Sequence, residues 1–441
     1  MLEPSAHVHQ FVDHSFRREA GRIASRLTRV FGTHRLALVE DAVQFSMLQA
    51  LQVWPYQGVP DNPGAWLMRV ASNRALDMVK GEEKMVPYED PAHPQIKVEV
   101  ERSSAGDTTG QLRFSKELPG DELALIFVCC DPALPRPASV ALTLKVVCGF
   151  GVAEIARAYL TSAATIAQRL VRAKRIIREQ RIGFEVPGPN ELPVRLQSVL
   201  EVLYLFFTEG YAPTSGDCAV RADLCADAIR LAELLAENPA TALPESHALL
   251  ALMLFQSARF ASRTDASGEL LLLEDQDRNL WDQGKIARGL AHLERAGQGD
   301  RLMSYHLQAE IAAVHTCASR FDQTDWRHIL ALYDLLVQMQ PTPVVLLNRA
   351  VAVAQLEGPE QGLAALALIE AKGQEDHHPG FAMAAGEFHR RRGAFGEAAD
   401  HFLHALKLVR TEPERRFLER RLAALHVDQG IEQVSSFRAR A

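Results

Sequence analysis

The sequence lacks the residue patterns of a disulfide framework, a metal site and the common nucleotide-binding and hydrolase motifs. Its six cysteines show no CxxC spacing, which excludes a convincing disulfide framework and a zinc site recognisable from spacing. Cys129 and Cys130 lie in an apolar run, LALIFVCC, where packing is the expected role. No P-loop, hydrolase-elbow or dinucleotide-binding pattern occurs. We therefore expect a chain that is not an enzyme and that holds no metal and no cofactor.

Long apolar runs and a leader segment are also missing. The best candidate span, residues 199–207, is interrupted by Glu201, so no transmembrane helix is expected. The N-terminus has no basic segment followed by an apolar one. Apolar residues make up 47% and charged residues 23%, which are globular values. We expect a cytoplasmic protein with no membrane partner.

Strand-like alternation is nearly absent, and apolar residues return every three or four positions along most of the chain. This pattern predicts an all-α fold, and 441 residues predict two or three domains. Polar, proline-containing stretches separate the helical segments. We predict helical blocks at 10–80, 119–182 and 183–441, with a linker at 81–118.

Charge is distributed unevenly between these segments. Residues 1–182 carry 23 basic and 20 acidic side chains, whereas residues 183–441 carry 25 basic and 35 acidic ones. Residues 120–182 alone hold nine basic and five acidic residues. The division favours a polyanion-binding head attached to an acidic body.

Residues 151–181 have the pattern of a short helix, a tight turn and a basic amphipathic helix. Ser162 is the expected cap of the second helix, whose apolar stripe comprises Ile166, Leu170, Ala173 and Ile177. The opposite face displays Thr165, Gln168, Arg169, Arg172, Lys174 and Arg175. A helix-turn-helix needs this arrangement, because its second helix enters the major groove. A basic, solvated helical hairpin is the alternative.

The first block has two amphipathic helices. Residues 36–51 carry Glu40, Asp41 and Gln44 outside the apolar stripe. A second helix is predicted over 66–80, with Asn62 as its cap and Pro63 in its first turn. It offers Trp66, Arg69, Ser72, Asn73 and Arg74. An aromatic ring, an amide and arginines on one element suit a nucleic-acid strand whose bases have left the stack.

The last block shows weak internal repetition. Small and aromatic residues fall at the offsets typical of tetratricopeptide (TPR) repeats: Gly393, Phe395, Ala398, Phe402 and Ala405. Paired helices need small residues where they cross and an aromatic to fill the adjacent gap. A generic helical bundle is the alternative.

Together these residues resemble the extracytoplasmic-function class of the sigma-70 superfamily, in the subgroup with a long TPR-like extension. The resemblance rests on EDAVQ at 40–44, the segments 61–80 and 141–179, and, further on, 200–217, 221–231, 271–282, 332–336, 343–354 and 412–423. These segments occur in colinear order over nearly the whole chain. The chain departs from many relatives at Phe45 and Ser46, where those relatives carry an acidic residue.

The resemblance implies a dissociable promoter-specificity subunit of bacterial RNA polymerase, with region 2 at 10–80 and region 4 at 119–182. Asp41 and Gln44 would dock on core RNA polymerase. An opened −10 element of promoter DNA would be held by Asp61, Asn62, Trp66, Arg69, Asn73 and Arg74. The −35 element would be read by Ser162, Thr165, Gln168, Arg169, Arg172 and Arg175.

Two questions stay open at this point. The acidic extension at 183–441 is an intramolecular inhibitor, a partner-binding module or a part required for activity. The whole chain is alternatively a helix-turn-helix regulator with a TPR-like sensor or scaffold, which would bind duplex DNA without polymerase. Polymerase binding separates these two functions, because only a sigma factor needs the core enzyme to select promoters.

Overall fold

The computed structural model describes residues 19–85, 120–159, 161–213, 218–265, 268–370 and 379–438. Within these ranges the regular structure is helical, and one isolated β-bridge joins Thr264 to Leu270. The prediction of an all-α fold is confirmed. The chain divides into two compact units, 1–206 and 207–441.

The first unit contains seven helices and the start of an eighth among the described residues. They are α1 (19–31), α2 (Leu36–Gln57), α3 (Pro63–Met85), α4 (120–129), α5 (Arg136–Leu142), α6 (Val152–Ala158), α7 (Ala163–Gln180) and α8 (Leu192–Tyr211), which continues into the second unit. Helix α3 continues beyond residue 80, where we predicted the linker to begin. Most of that predicted linker, 86–118, lies outside the described residues.

Helix α2 packs along α3 through an apolar face that includes Val39, Ala42 and Trp54. It ends at Gly58, whose φ of +83° is a conformation that favours glycine, and whose N–H donates to the carbonyl of Trp54. This turn directs the chain back toward the start of α3.

Helix α1 approaches the π-helical turn Thr143–Val147, which follows α5. A Cβ atom on Gly21 of α1 would lie 2.0 Å from the carbonyl oxygen of Val147. Because no side chain fits at that distance, glycine allows the two backbones to touch.

The second unit is a succession of helices. Its described helices after α8 are α9 (Ala222–Glu237), α10 (Pro244–Ala258), α11 (Gln283–Ala296), α12 (Ser304–Cys317), α13 (Trp326–Met339), α14 (Pro343–Leu356), α15 (Pro359–Glu370), α16 (Pro379–Arg391), α17 (Phe395–Leu408) and α18 (Glu412–Arg438). Most of them pack on the helix before and the helix after in sequence. Such nearest-neighbour packing is typical of helical arrays.

Small residues permit the close crossing of α16 and α17. A Cβ on Gly386 would lie 2.6 Å from the Phe402 ring, and Ala398 and Ala405 are fully buried beside that ring. Gly393 forms the turn between the two helices with φ of +80°. The predicted small and aromatic positions therefore form a helix crossing, while the TPR-like assignment itself stays a prediction.

Candidate functional site

The N-terminus of α3 is fixed by Asn62. Its Oδ1 accepts a hydrogen bond from the backbone N–H of Ala65 at 3.0 Å, and Pro63 is the first helical residue. The predicted cap is thus confirmed. Along the helix that follows, Arg69, Asn73 and Arg74 are exposed, as is Asp61 before it.

Trp66 is half-buried at the edge of this helix. Its ring meets the buried Trp54 ring edge-on, with centroids 5.5 Å apart. One face of an aromatic side chain is therefore supported by α2 while part of it stays accessible. Ser72, which we predicted among the displayed residues, is 2% exposed and faces the interior. This part of the prediction is wrong, because Ser72 lies on the buried face of α3.

Arg74 lies over the ring of Phe45, with its guanidinium carbon 4.9 Å from the ring centroid. Phe45 is one of the two positions where the resemblance led us to expect a departure from many relatives. A cation–π contact at an exposed site attracts an arginine with about 0.5–1 kcal/mol. The departure at Phe45 is therefore accommodated by a contact between α2 and α3.

Helix α2 presents a mixed polar and apolar face. Asp41 and Gln44 are exposed, and so are Leu48 (57%) and Leu51 (36%). At 100° per residue these four positions fall within one quarter of the helix circumference. Sequence reasoning missed the two leucines, because an apolar residue in an amphipathic helix is ordinarily assigned to the core.

Helix α7 has the amphipathic form that the sequence predicted. Ser162 caps it, with its Oγ accepting a hydrogen bond from the Thr165 N–H at 3.0 Å, and the whole apolar stripe is buried: Ile166, Leu170, Ala173 and Ile177. Gln168, Arg172 and Arg175 are exposed, and Arg169 is half-buried. The Ser162 and Thr165 hydroxyls also bond to each other at 2.9 Å.

Comparison with known families identifies two segments of the chain. Residues 14–84 match Sigma-70 region 2, and residues 195–297 match a family of unknown function, DUF6596. An uncharacterized protein of Rhizobium meliloti (strain 1021) is 42% identical over 340 residues, covering 77% of this chain and 78% of that protein. The chain belongs to the sigma-70 superfamily. Region 2 indicates a sigma-factor-like role in binding core RNA polymerase and promoter DNA.

In this sigma-70 superfamily chain, α1, α2 and all of α3 except its last residue lie within the region 2 match, and α7 lies outside both matched ranges. Sigma-70 family members are not enzymes. The absence of enzymatic activity in this chain stays an expectation.

Lys174 departs from the predicted solvent face of α7. Its Nζ lies 2.6 Å from Glu40 Oε2 on α2, and Lys145 Nζ lies 3.6 Å from the other oxygen of that carboxylate. All three side chains are largely buried, with 9% to 21% exposed. We predicted Lys174 beside Arg172 and Arg175, and this was wrong because the buried Glu40 carboxylate attracts it inward.

Further contacts join region 2 to the helices around α7. The carboxylate of Asp121, 1% exposed, pairs with Arg29 at 2.6 Å and with Arg26 at 3.6 Å. Thr33 Oγ1 donates to the carbonyl of Ile182, just after α7, at 2.7 Å. The candidate polymerase-binding helix and the candidate −35 helix are therefore held together within the first unit.

The cysteines and acidic groups form no centre for other chemistry in the described residues. Burial raises the pKa of Cys130 to about 12 and holds the pKa of Cys129 well above its usual value, so both thiols stay protonated and unreactive. In the same ranges no three His, Cys, Asp or Glu side chains are grouped to hold a metal ion. Nor does any described helix have the length and apolar content that a membrane span needs.

Proposed function

We propose that this chain is a dissociable sigma factor of the extracytoplasmic-function class, which binds core RNA polymerase in the cytoplasm and directs promoter-specific initiation. The observation that carries the proposal is the coincidence of the region 2 match with α1 to α3. There, Asp41 and Gln44 are exposed on α2 and Trp66 follows the capped start of α3. Binding energy opens the DNA, and the sigma factor itself makes or breaks no bond.

The exposed face of α2 is the proposed polymerase contact. Asp41 and Gln44 provide polar contacts, and Leu48 and Leu51 provide apolar area beside them. A patch of this kind resembles the apolar centre and polar rim of a protein interface. An exposed leucine pair on an otherwise amphipathic helix is accounted for by such a partner.

The start of α3 is the proposed −10 contact. Trp66, supported by Trp54, offers a stacking surface for an unpaired base. The polar groups around it are Asp61, Asn62, Arg69, Asn73 and Arg74. Removing bases from the duplex costs a few kcal/mol, which stacking and phosphate contacts offset.

Helix α7 is the proposed −35 reader. Thr165 and Gln168 lie in its first two turns, where a recognition helix meets base edges, and Arg172 and Arg175 follow within reach of phosphates. Arg169 lies between these two groups, and Ser162 fixes the helix start. Phosphate contacts predict binding that weakens steeply with salt.

Promoter binding requires the first unit to open. The −10 and −35 elements are centred about 25 base pairs apart, roughly 85 Å along B-form DNA. Gln168 is connected to Trp66 through the Lys174–Glu40 contact, helix α2 and the Trp54–Trp66 contact. With a rise of 1.5 Å per helical residue, this path limits the distance between Gln168 and Trp66 to about 60 Å. We infer that the Glu40, Asp121 and Thr33 contacts separate when both elements are bound.

Co-elution with sigma-free core RNA polymerase on a sizing column tests the proposal. The full-length chain should co-elute, and the double variant Asp41→Ala/Gln44→Ala should bind at least tenfold more weakly. Gln57→Ala, exposed on the opposite side of α2, is the matched control and should bind normally. A chain that binds duplex DNA alone and never co-elutes with polymerase would be a regulator instead.

A further inference from the structure

A cavity of about 290 Å³ lies within the second unit, and helices α12, α13, α14, α16, α17 and α18 contribute to its lining. Six aromatic side chains line it: Phe321, Trp326, Tyr333, Phe388, Phe402 and Phe417. Its volume is close to the lower end of the range for ligand sites. Four of the segments on which the family resemblance rests, 271–282, 332–336, 343–354 and 412–423, each contribute a lining residue.

One wall of this cavity is aromatic and uncharged. The Trp326 ring is met edge-on by His315 at 5.1 Å and by Phe321 at 5.5 Å between centroids. Burial, with Arg259 and Arg278 nearby, lowers the pKa of His315 to about 3. The imidazole is therefore neutral at physiological pH, and the wall suits an apolar side chain.

The wall formed by α14 carries two carboxamides. Asn348 and Gln355 both line the cavity with Val351 between them, and neither side chain makes a hydrogen bond to another described residue. They are two helical turns apart, about 10.5 Å along the axis. A carboxamide both donates and accepts, and three residues of extended chain cover that distance. The spacing therefore suits the N–H and C=O groups of an extended backbone.

A carboxylate and a guanidinium of opposite charge stand at the same cavity. Glu274 and Arg391 line it, and neither is in a hydrogen bond or ion pair with a described residue, whereas Glu387 is held by Arg390 at 2.6 Å. Partial burial, then Asp275 and Glu387, raise the pKa of Glu274, and the nearby Arg421 and Arg391 partly offset that rise. Because these two arginines attract Glu274, the cavity does not require a charged ligand, and an uncharged peptide backbone suits it.

We propose that this cavity binds an extended peptide segment of about three to four residues from a partner protein. One apolar side chain of the peptide lies among the aromatic rings, and its backbone bonds to Asn348 and Gln355. Of the three roles that the sequence leaves open for residues 183–441, the proposal takes that of a partner-binding module and names its ligand class.

Calorimetric titration of the full-length protein with blocked tetrapeptides tests the proposal. The probes are N-acetylated, C-amidated tetrapeptides with Phe, Trp, Leu or Ile at the second position. At least one should bind at sub-millimolar concentration, and Asn348→Ala or Gln355→Ala should weaken it about fivefold each, the effect of one hydrogen bond. Gln338→Ala, an exposed amide on α13 away from the cavity, should bind as the unaltered protein does. Circular dichroism confirms that each variant is folded.

Two probes separate a peptide from a small molecule. The same tetrapeptide with methylated backbone nitrogens should lose most of its affinity, because it has lost its donors. Free L-phenylalanine should bind at least tenfold more weakly than the tetrapeptide. No binding by any tetrapeptide at millimolar concentration, equal binding by either comparison probe, or full affinity in both carboxamide variants would overturn the proposal.

The titration contains no polymerase, so its outcome is separate from that of the proposed function. A protein that binds the peptide and not polymerase would support this inference and overturn the sigma-factor proposal. The reverse result would overturn this inference alone.

Discussion

Helices α3 and α7 begin with the same kind of cap and differ in the side chains that they bury. Each starts with a side-chain oxygen that accepts from a backbone N–H three residues on, from Asn62 to Ala65 and from Ser162 to Thr165, both at 3.0 Å. Helix α7 buries one narrow apolar stripe, and its other side is exposed, with Val171 (67% exposed) beside Gln168 and Arg175. Helix α3 carries Trp66 at the edge of its buried face, against Trp54.

The difference suits the two kinds of DNA contact that we propose for these helices. A helix that enters the major groove of a duplex needs exposed polar side chains that reach base edges and phosphates. A helix that holds unpaired bases needs a ring that is supported on one side and accessible on the other. Substitutions that affect one helix and not the other therefore test whether the two helices read different forms of DNA.

The largest effect is expected from the double variant Arg169→Ala/Arg172→Ala. Each arginine contact with a base or phosphate contributes about 1–3 kcal/mol, so promoter-specific transcription should fall about 100-fold or more. Polymerase co-elution should be unchanged, because α7 is not the proposed docking helix. Arg178→Ala, in the last turn of the same helix, is the matched control. Undiminished transcription from the double variant would refute the recognition-helix assignment.

Trp66→Ala should act on the other helix. Loss of a stacking surface costs about 1–3 kcal/mol, so open-complex formation, followed by permanganate reactivity of unpaired thymines, should fall roughly 10- to 100-fold. Binding of polymerase with this variant to a duplex −35 probe should stay normal. Trp66→Phe keeps a ring and should recover part of the activity. Equal loss in the phenylalanine and alanine variants would contradict stacking.

Glu40→Gln tests the contact between α2, in the block predicted at 10–80, and the block predicted at 119–182. Because Glu40 is 13% exposed and faces two lysines, the change should lower the free energy of unfolding by about 1–3 kcal/mol, measured with denaturant. Glu179→Gln removes the exposed Arg175–Glu179 pair of α7 and should cost less than about 0.5 kcal/mol. Similar losses in the two variants would show that the Glu40 cluster contributes no more than a surface pair.

The smallest effects are expected from the caps. Ser162→Ala and Asn62→Ala should each lower stability by about 1 kcal/mol, with the change measured in the same denaturant experiment. Gly at either position should cost only a few tenths of a kcal/mol relative to the native residue. An unchanged stability in both alanine variants would mean that these hydrogen bonds are replaced by water without loss.

Local patterns in the sequence predicted the described helices better than they predicted contacts between residues that are distant in sequence. The four-residue stripe of α7 and the Asn62 and Ser162 caps depend on neighbours within one or two turns, and each is found as predicted. Lys174 was misplaced because its partner, Glu40, lies 134 residues away in sequence. The helical periodicity of a sequence gives no sign of such a distant ion pair.

The same difference between local patterns and distant contacts holds for the candidate site. Phe45 is unexplained in sequence and explained in the structure by Arg74, a contact between two helices. The exposed leucines of α2 and the cavity of the second unit were likewise missed, since both depend on what packs nearby rather than on spacing. Helical periodicity predicts which side of a helix is apolar and leaves open whether that side is covered.

The touching backbones at Gly21 and Val147 make the spacing of the first unit sensitive to a single methyl group. Alanine at position 21 would insert a wedge between α1 and the π-helical turn without altering any charge. One nucleotide change in a glycine codon can produce alanine, so a single mutational step is enough to disturb the packing of α1 on this turn.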